Sequence, residues 1–507
     1  MPYILGIDIG TSATKTGLYD ITGKTIATHS VSYPLHHPQN GWAEQDPADW
    51  WAAAVSSILW VLGHSGAPAS EIAGVGLTGQ MHGLVLLDEN DEVIRPAILW
   101  CDQRSALECV QITDRVGKEQ LLAITANPAL TGFTASKLLW VRNNEPEAYA
   151  RTKKVLLPKD YIRYKLTGAM VTDVSDASGM QMLDVGHRCW SREVLDALDI
   201  PIEWLPECLE SPALSGRVNK DAAALTGLPP GTPVAAGAGD NAAAAVGTGV
   251  VREGVSFTTI GTSGVVFVHT DNMAIDPKGR IHTFCCAVPD AWHTMGVTQS
   301  AGFSLQWFRN QFCQSEIETA RQLGKSTYKI LDEVALLSPL GANRLLFMPY
   351  LQGERTPHLD SDVRGAFIGL SAAHGRRDML RAVMEGVSFS MRDCAEVFTE
   401  IGLPLDQTRV CGGGGSSLLW RQMLADIMGL EVVTTGSNEG PTLGAAILAG
   451  VTAGLYPGVR EACDAVISVT GSIAPIEPNR EAYDRIYGLY REAYPALKGL
   501  YKELAKL

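Results

Sequence analysis

At 507 residues the chain is longer than one hydrophobic core usually grows, so two domains are expected. With 46% hydrophobic and 19% charged residues it reads as globular, and a charge of −14 with no long Lys/Arg run excludes nucleic acid as a partner. Ten cysteines without a C-x-x-C pair argue against a disulfide framework or zinc site, and no uncharged apolar stretch reaches the ~18 residues of a membrane span.

Tyr3 to Ile9 is apolar and rich in β-formers, and it reaches Asp8 too soon for a secretory signal, so a cytoplasmic protein is expected. A turn at Gly10-Thr11-Ser12 follows. Lys15 to Tyr19 and Thr25 to Ser32 then complete a three-stranded antiparallel meander. Asp46 and Pro47 predict a capped helix over Pro47 to Gly63. Ile72 to Thr78 reads as a buried strand that ends in the turn Gly79-Gln80-Met81-His82-Gly83, with a short strand at Leu84 to Leu87. Helices and loops run to about residue 230. Thr232 to Ala236 is a strand leading into Gly237-Ala238-Gly239-Asp240.

Near residue 250 the opening repeats. Gly254 to Ile260 is a strand, Gly261-Thr262-Ser263-Gly264 a turn, and Val265 to His269 a strand. Ile9-Gly10-Thr11-Ser12 and Ile260-Gly261-Thr262-Ser263 place one string after an apolar strand in each half, which predicts a duplicated fold. The expected architecture is α/β, with domains 1–249 and 250–507 facing each other across a central cleft. Further on, the strand Thr408 to Cys411 leads into the glycine run Gly412–Ser417 and a helix over Leu418 to Gly429. The chain closes on an amphipathic helix from Glu481, expected to pack on its own domain.

These motifs suggest chemistry. The two Gly-Thr-Ser turns can grip a polyphosphate from opposite sides, with glycine admitting backbone N–H groups and Thr11, Ser12 and Thr262 donating hydroxyls. Asp8 can hold Mg²⁺ through water, and Lys15 adds a charge. The run at Gly413 and Gly414 lets backbone pass close to a flat ring or a phosphate. Asp240 stands at a strand end between two runs of small residues, where desolvating a charge is costly, and it suits a carboxylate that accepts a hydroxyl proton during phosphoryl transfer. His82 can hydrogen-bond a sugar hydroxyl. Trp100, Asp102 and Arg104 form a polar cluster in which an aromatic face meets sugar C–H groups and an Asp/Arg pair binds hydroxyls. Two look-alikes are set aside. Gly324-Lys325-Ser326 lacks the leading glycine of a P-loop, and Gly237-x-Gly239 lacks the βαβ context of a dinucleotide site.

Taken together the chain resembles the FGGY family of carbohydrate kinases along essentially its whole length. One family signature is matched by Gly132 to Asn144 and the other by Gly365 to Glu385. Within the family it is most similar to the xylulokinases, through Gly79–Gly83, Gly41–Pro47, Leu157–Tyr161 and Thr172–Gly179. The resemblance implies an actin-like, ribonuclease-H-like fold in each domain and Mg·ATP-dependent phosphorylation of D-xylulose. It implies Asp240 as general base, Asp8 on the metal side, Gln80, Met81 and His82 at the ketose, and Asn241 beside the base. Positions similar to those of glycerol kinases put Thr11, Ser12, Thr262, Gly302, Gln306, Gly413 and Ser417 on the nucleotide, and Gly261 and Gly414, in the same glycine loops, are expected there too. The chain departs from glycerol kinases in carrying Met81-His82 for Arg-Glu, Ser417 for Asn and Gly132 for an aromatic residue. A homodimer is expected on resemblance alone. The rival readings are a kinase of another ketose or polyol, such as ribulose or erythritol, and a non-catalytic nucleotide switch of the actin or Hsp70 type.

Overall fold

A computed structural model describes residues 2–436 and 439–507. Two seven-stranded mixed sheets organise the chain. The first runs Leu214–Arg217, Pro233–Ala235, Ile72–Gly79, Tyr3–Ile9, Ala13–Asp20, Thr25–Ser32, with Ala238–Gly239 also paired to Ile72–Gly79. The second runs His282–Cys285, Trp292–Thr298, Gly264–Thr270, Gly254–Ile260, Leu405–Cys411, Glu431–Thr435, Val469–Ile473.

The halves repeat one plan. In each, a hairpin turns at Gly-Thr-Ser, and its first strand pairs in parallel with a strand from far along the chain: Ile72–Gly79 in the first half and Leu405–Cys411 in the second. The loop after that parallel strand is Gln80–Gly83 in one half and Gly412–Ser417 in the other. The expected duplication therefore places the two most unusual loops of the sequence at equivalent points, beside the two hairpin turns.

Local chemistry explains most boundaries. Asp46 accepts from the Ala48 N–H at 2.9 Å and Pro47 occupies the first turn, so the helix starts where expected. It runs through Gly63 to Ser65 because the stop is Gly66, in the left-handed region at φ 69°. Gly324, in the rejected P-loop look-alike, is likewise the left-handed cap of the helix Gln314–Leu323.

The C-terminal helix Glu477–Leu504 packs on the second half. Tyr487 Oη donates to Asp393 at 2.6 Å and Tyr483 Oη to Glu385 at 2.8 Å, while Leu489 stays 67% exposed. No helix among the described residues is long and apolar enough to cross a membrane.

One crossover ties the halves together. The helix Gly440–Thr452 leaves the second sheet and lies on the first, against Tyr3–Ile9 and Ile72–Gly79. Gly6, Gly74 and Gly76 make room for it, since a methyl group on Gly74 would stand 2.8 Å from the Ala449 carbonyl oxygen. The same helix crosses Asp240–Thr248 through Gly247 and Gly444. The helix that begins with Asp240 is thus clamped by residues from both halves.

Candidate active site

Asp240 is the first residue of the helix Asp240–Thr248, with Gly239 at the cap position. Its Oδ1 accepts from the Asn241 backbone N–H at 2.7 Å and from Asn241 Nδ2 at 3.0 Å, which leaves Oδ2 for another partner. Burial raises the Asp240 carboxyl to about 6 against those two bonds. Asp8 lies near enough for the two carboxylates to repel. Burial first, and then Asp240, push the Asp8 carboxyl up to about 7, while Lys15 pulls the other way. Asp8 Oδ1 is buried and without a hydrogen-bond partner.

The Met81-His82 turn lies against this centre. Gly239 is glycine because a methyl group there would come within 3.0 Å of Met81 Sδ. His82 adopts φ 69°, a left-handed conformation unusual for a non-glycine residue. Its Nδ1 meets the Gly179 carbonyl oxygen at 2.9 Å. A carbonyl only accepts, so Nδ1 carries the proton and Nε2 presents a lone pair. Burial, with Lys137 nearby, holds the imidazole well below its usual range and hence neutral. A neutral Nε2 is an acceptor for a sugar O–H.

Lys137 was visible only as part of a signature, yet it fixes this turn. Its fully buried Nζ donates to the His82 carbonyl at 2.9 Å and to the Gly132 carbonyl at 2.7 Å. A lysine within the run Ala135–Val141, every residue of which is buried, was the available signal. Lys137→Met should raise KM for the sugar and lower kcat/KM by roughly 10²-fold, the scale of an ångström-sized misplacement, with KM for ATP unchanged. Steady-state kinetics against both substrates checks this.

Behind the centre lies a buried ion cluster built from two of the resemblance motifs. Lys159 Nζ reaches Asp160 and Asp173 at 2.7 Å and Asp176 at 3.1 Å, and Arg163 joins Asp160 at 2.5 Å, all fully buried. Three carboxylates face two cations. Burial drives the Asp176 carboxyl well above its ordinary range, while Lys159 pulls the other way. Ser175 connects the cluster to the site: its Oγ donates to Asp173 at 2.5 Å and accepts from the Gly239 N–H at 3.1 Å.

Several expected contacts have other partners. Asp102 is fully buried, accepts from the Ala43 N–H at 2.6 Å, and forks onto Arg104, which also bonds Glu44 at 2.7 Å and stacks on Trp42 at 3.7 Å. That pair is a structural brace rather than a pair of ligands for hydroxyls. Trp100 donates to Thr11 Oγ1 at 2.9 Å, beside the first phosphate turn. Gln80 Nε2 bonds Gln45 Oε1 at 3.0 Å and the Gly10 carbonyl at 3.4 Å, supporting the same turn. Lys15 is ion-paired to Glu439. Ser417 caps the helix Leu418–Met428 by accepting from the Trp420 N–H at 3.1 Å, so its hydroxyl is engaged within the protein.

The remaining nucleotide candidates line one groove. A cavity of about 710 Å³ extends from Asp240 and Asn241 to Gly412, Gly413 and Ser416. A second, of about 470 Å³, shares Gly413 and Ser416 and is lined by Gly261, Thr262, Gly302, Gln306, Gly414 and Ser417. Tyr328 and Asp332 also line it, and neither carries a motif that singles it out in the sequence. The first-half turn brings Ser12 to the surface, where Thr11 is half-buried. The groove therefore has a carboxylate at one end and an apolar-walled pocket at the other, the shape a nucleoside triphosphate and a hydroxyl acceptor require.

Two family models match the chain: the N-terminal domain of the FGGY family of carbohydrate kinases over residues 3–247, and its C-terminal domain over residues 257–453. The chain is 40% identical over 491 residues to a xylulose kinase of Bacillus subtilis, covering 97% of this chain and 96% of that protein. It is 34% identical to a gluconokinase of Bacillus licheniformis, covering 96% and 94%. A crystal structure of a xyloylose kinase from Brucella ovis superposes with a TM-score of 0.90 at 36% identity, covering 98% of this chain and all of that one.

Proposed function

The chain belongs to the FGGY family of carbohydrate kinases and is a sugar kinase; on that premise we propose that it transfers the γ-phosphoryl of ATP to the terminal hydroxyl, O5, of D-xylulose. The observation that carries the reading is the juxtaposition of Asp240, raised to about 6, with the Met81-His82 turn and the groove that leads to Gly413.

In this reading Asp240 is the general base. Its free oxygen takes the hydroxyl proton as the acceptor oxygen attacks, and Asn241 holds the other oxygen still. Met81 packs against the sugar, and His82 Nε2 accepts from one of its hydroxyls. The hairpin turns at Thr11 and Thr262 enclose the phosphates, and the adenosine occupies the cavity between Gly302, Gln306 and Gly413. The buried, unpartnered Oδ1 of Asp8 fits a hydrated Mg²⁺, which when bound would supply positive charge to neutralise the phosphates. Residues 1–249 would carry the acceptor site and 250–507 the adenosine site.

A coupled assay of ADP release across D-xylulose, D-ribulose, erythritol and D-gluconate tests the assignment. D-xylulose should give the highest kcat/KM. A higher value for another acceptor would replace the substrate and keep the enzyme class. Release indifferent to every sugar would favour a nucleotide switch and overturn the proposal.

A further inference from the structure

The segment Glu354–Thr356 belongs to the second half and is fixed beside the end of the strand Trp292–Thr298. Glu354 accepts from Thr298 Oγ1 at 2.6 Å, from the Gln299 N–H at 2.9 Å and from the Arg355 N–H at 2.7 Å. The Thr356 N–H donates to the Val297 carbonyl at 3.0 Å, and Thr356 Oγ1 donates to the Arg280 carbonyl at 2.8 Å. The backbone on both sides of Arg355 is therefore held rigidly.

The Arg355 side chain is half-buried and, unlike most arginines of this chain, has neither an ion pair nor a side-chain hydrogen bond among the described residues. Thr356 touches Arg280, two residues before His282, and His282 and His82 share the same two aromatic neighbours. Phe133 lies 4.8 Å from His82 and 6.0 Å from His282 between ring centroids, and Phe284 lies 6.0 Å and 6.1 Å from them. The Arg355 charge acts on both imidazoles. The acceptor region is thus polarised. Asp8 and Asp240 make one end acidic, and the Arg355 guanidinium brings positive charge to the other, beside the neutral imidazoles of His82 and His282.

We propose that Arg355 is a direct ligand of the acceptor's far end, binding the C1 and C2 oxygens of a ketose whose terminal hydroxyl lies at Asp240. The inference rests on the reading of Asp240 and His82 given above. A guanidinium is a fork of donors with no acceptor, so it matches a carbonyl and neighbouring hydroxyl, and matches a carboxylate better still. Arg355 comes from the second half while His82 comes from the first, so the acceptor pocket is complete only when both halves meet.

The experiment compares wild type, Arg355→Gln and Arg355→Lys on D-xylulose, with D-xylonate as inhibitor. D-xylonate carries a carboxylate where the ketose carries its carbonyl end. The proposal expects Arg355→Gln to raise KM for the sugar by roughly 10- to 100-fold, the loss of a hydrogen bond to a charged group, with kcat within a few-fold and KM for ATP unchanged. Xylonate should inhibit wild type competitively, and its inhibition constant should rise at least as much as KM in Arg355→Gln and less in Arg355→Lys. An unchanged KM and xylonate constant in either folded variant, or a fall in kcat alone, overturns it. Should wild type prefer another acceptor, the same ratios are read with that acceptor and its aldonate. Wild type without sugar-stimulated ADP release would instead remove the kinase reading itself.

Discussion

Asp240→Asn should lower kcat by about 10²- to 10⁴-fold, the usual contribution of a general base, without lowering stability. The amide keeps the shape of the carboxyl and removes a charge that burial disfavours. The sign of the stability effect follows from proton binding. The Asp240 carboxyl is raised from 3.8 to about 6 in the folded protein, so the folded state holds this proton more tightly than the unfolded one. Between those two pH values stability falls as pH rises, and that share of the pH dependence should vanish in the variant. Catalysis runs the other way. Only the ionised carboxylate accepts the hydroxyl proton, so wild-type kcat/KM for the sugar should drop about tenfold per pH unit below about 6. Kinetics and denaturant melts across about pH 4.5 to 8 read both slopes. An Asp240→Asn enzyme that folds normally and turns over at near wild-type rate would sink the assignment.

Much of this was legible in the sequence because the signals were local. The meander, both Gly-Thr-Ser turns and the strand Gly254–Ile260 stand where turn chemistry and alternation placed them. Asp240 could be singled out because a carboxylate between small apolar runs is costly wherever it folds. What stayed hidden depended on distant partners. Asp102 and Arg104 look like sugar ligands until Glu44 and the Ala43 N–H are found beside them. Lys15 looks free until Glu439 comes across the crossover. Lys137 and Arg355 gain meaning only from what their side chains face, since neither has a sequence neighbour that reveals it. The Leu157–Tyr161 and Thr172–Gly179 motifs suggested the family, and the fold shows their charges buried behind the site rather than lining it.

One substitution made in two helices should have opposite signs. In the helix Gly440–Thr452, a methyl group on Gly444 would stand 2.7 Å from the Ala243 carbonyl carbon and 2.9 Å from the Gly247 nitrogen. Both are backbone atoms of the partner helix and have no rotamer to yield, so relief requires the helices to part. Gly444→Ala should therefore destabilise by roughly 3 kcal/mol or more, the upper range for overpacking. The strain falls one turn after Asp240, so kcat should fall together with stability. In the helix Glu477–Leu504, Gly488 is exposed and a methyl group there meets nothing within 4 Å. Gly488→Ala should stabilise by about 0.5–1 kcal/mol, the helix propensity of alanine over glycine, and leave kcat unchanged. Denaturant melts paired with turnover measurements separate the cases. A Gly444→Ala protein as stable and active as Gly488→Ala would mean that the helix pair is not closely packed, and that Asp240 is not positioned through it.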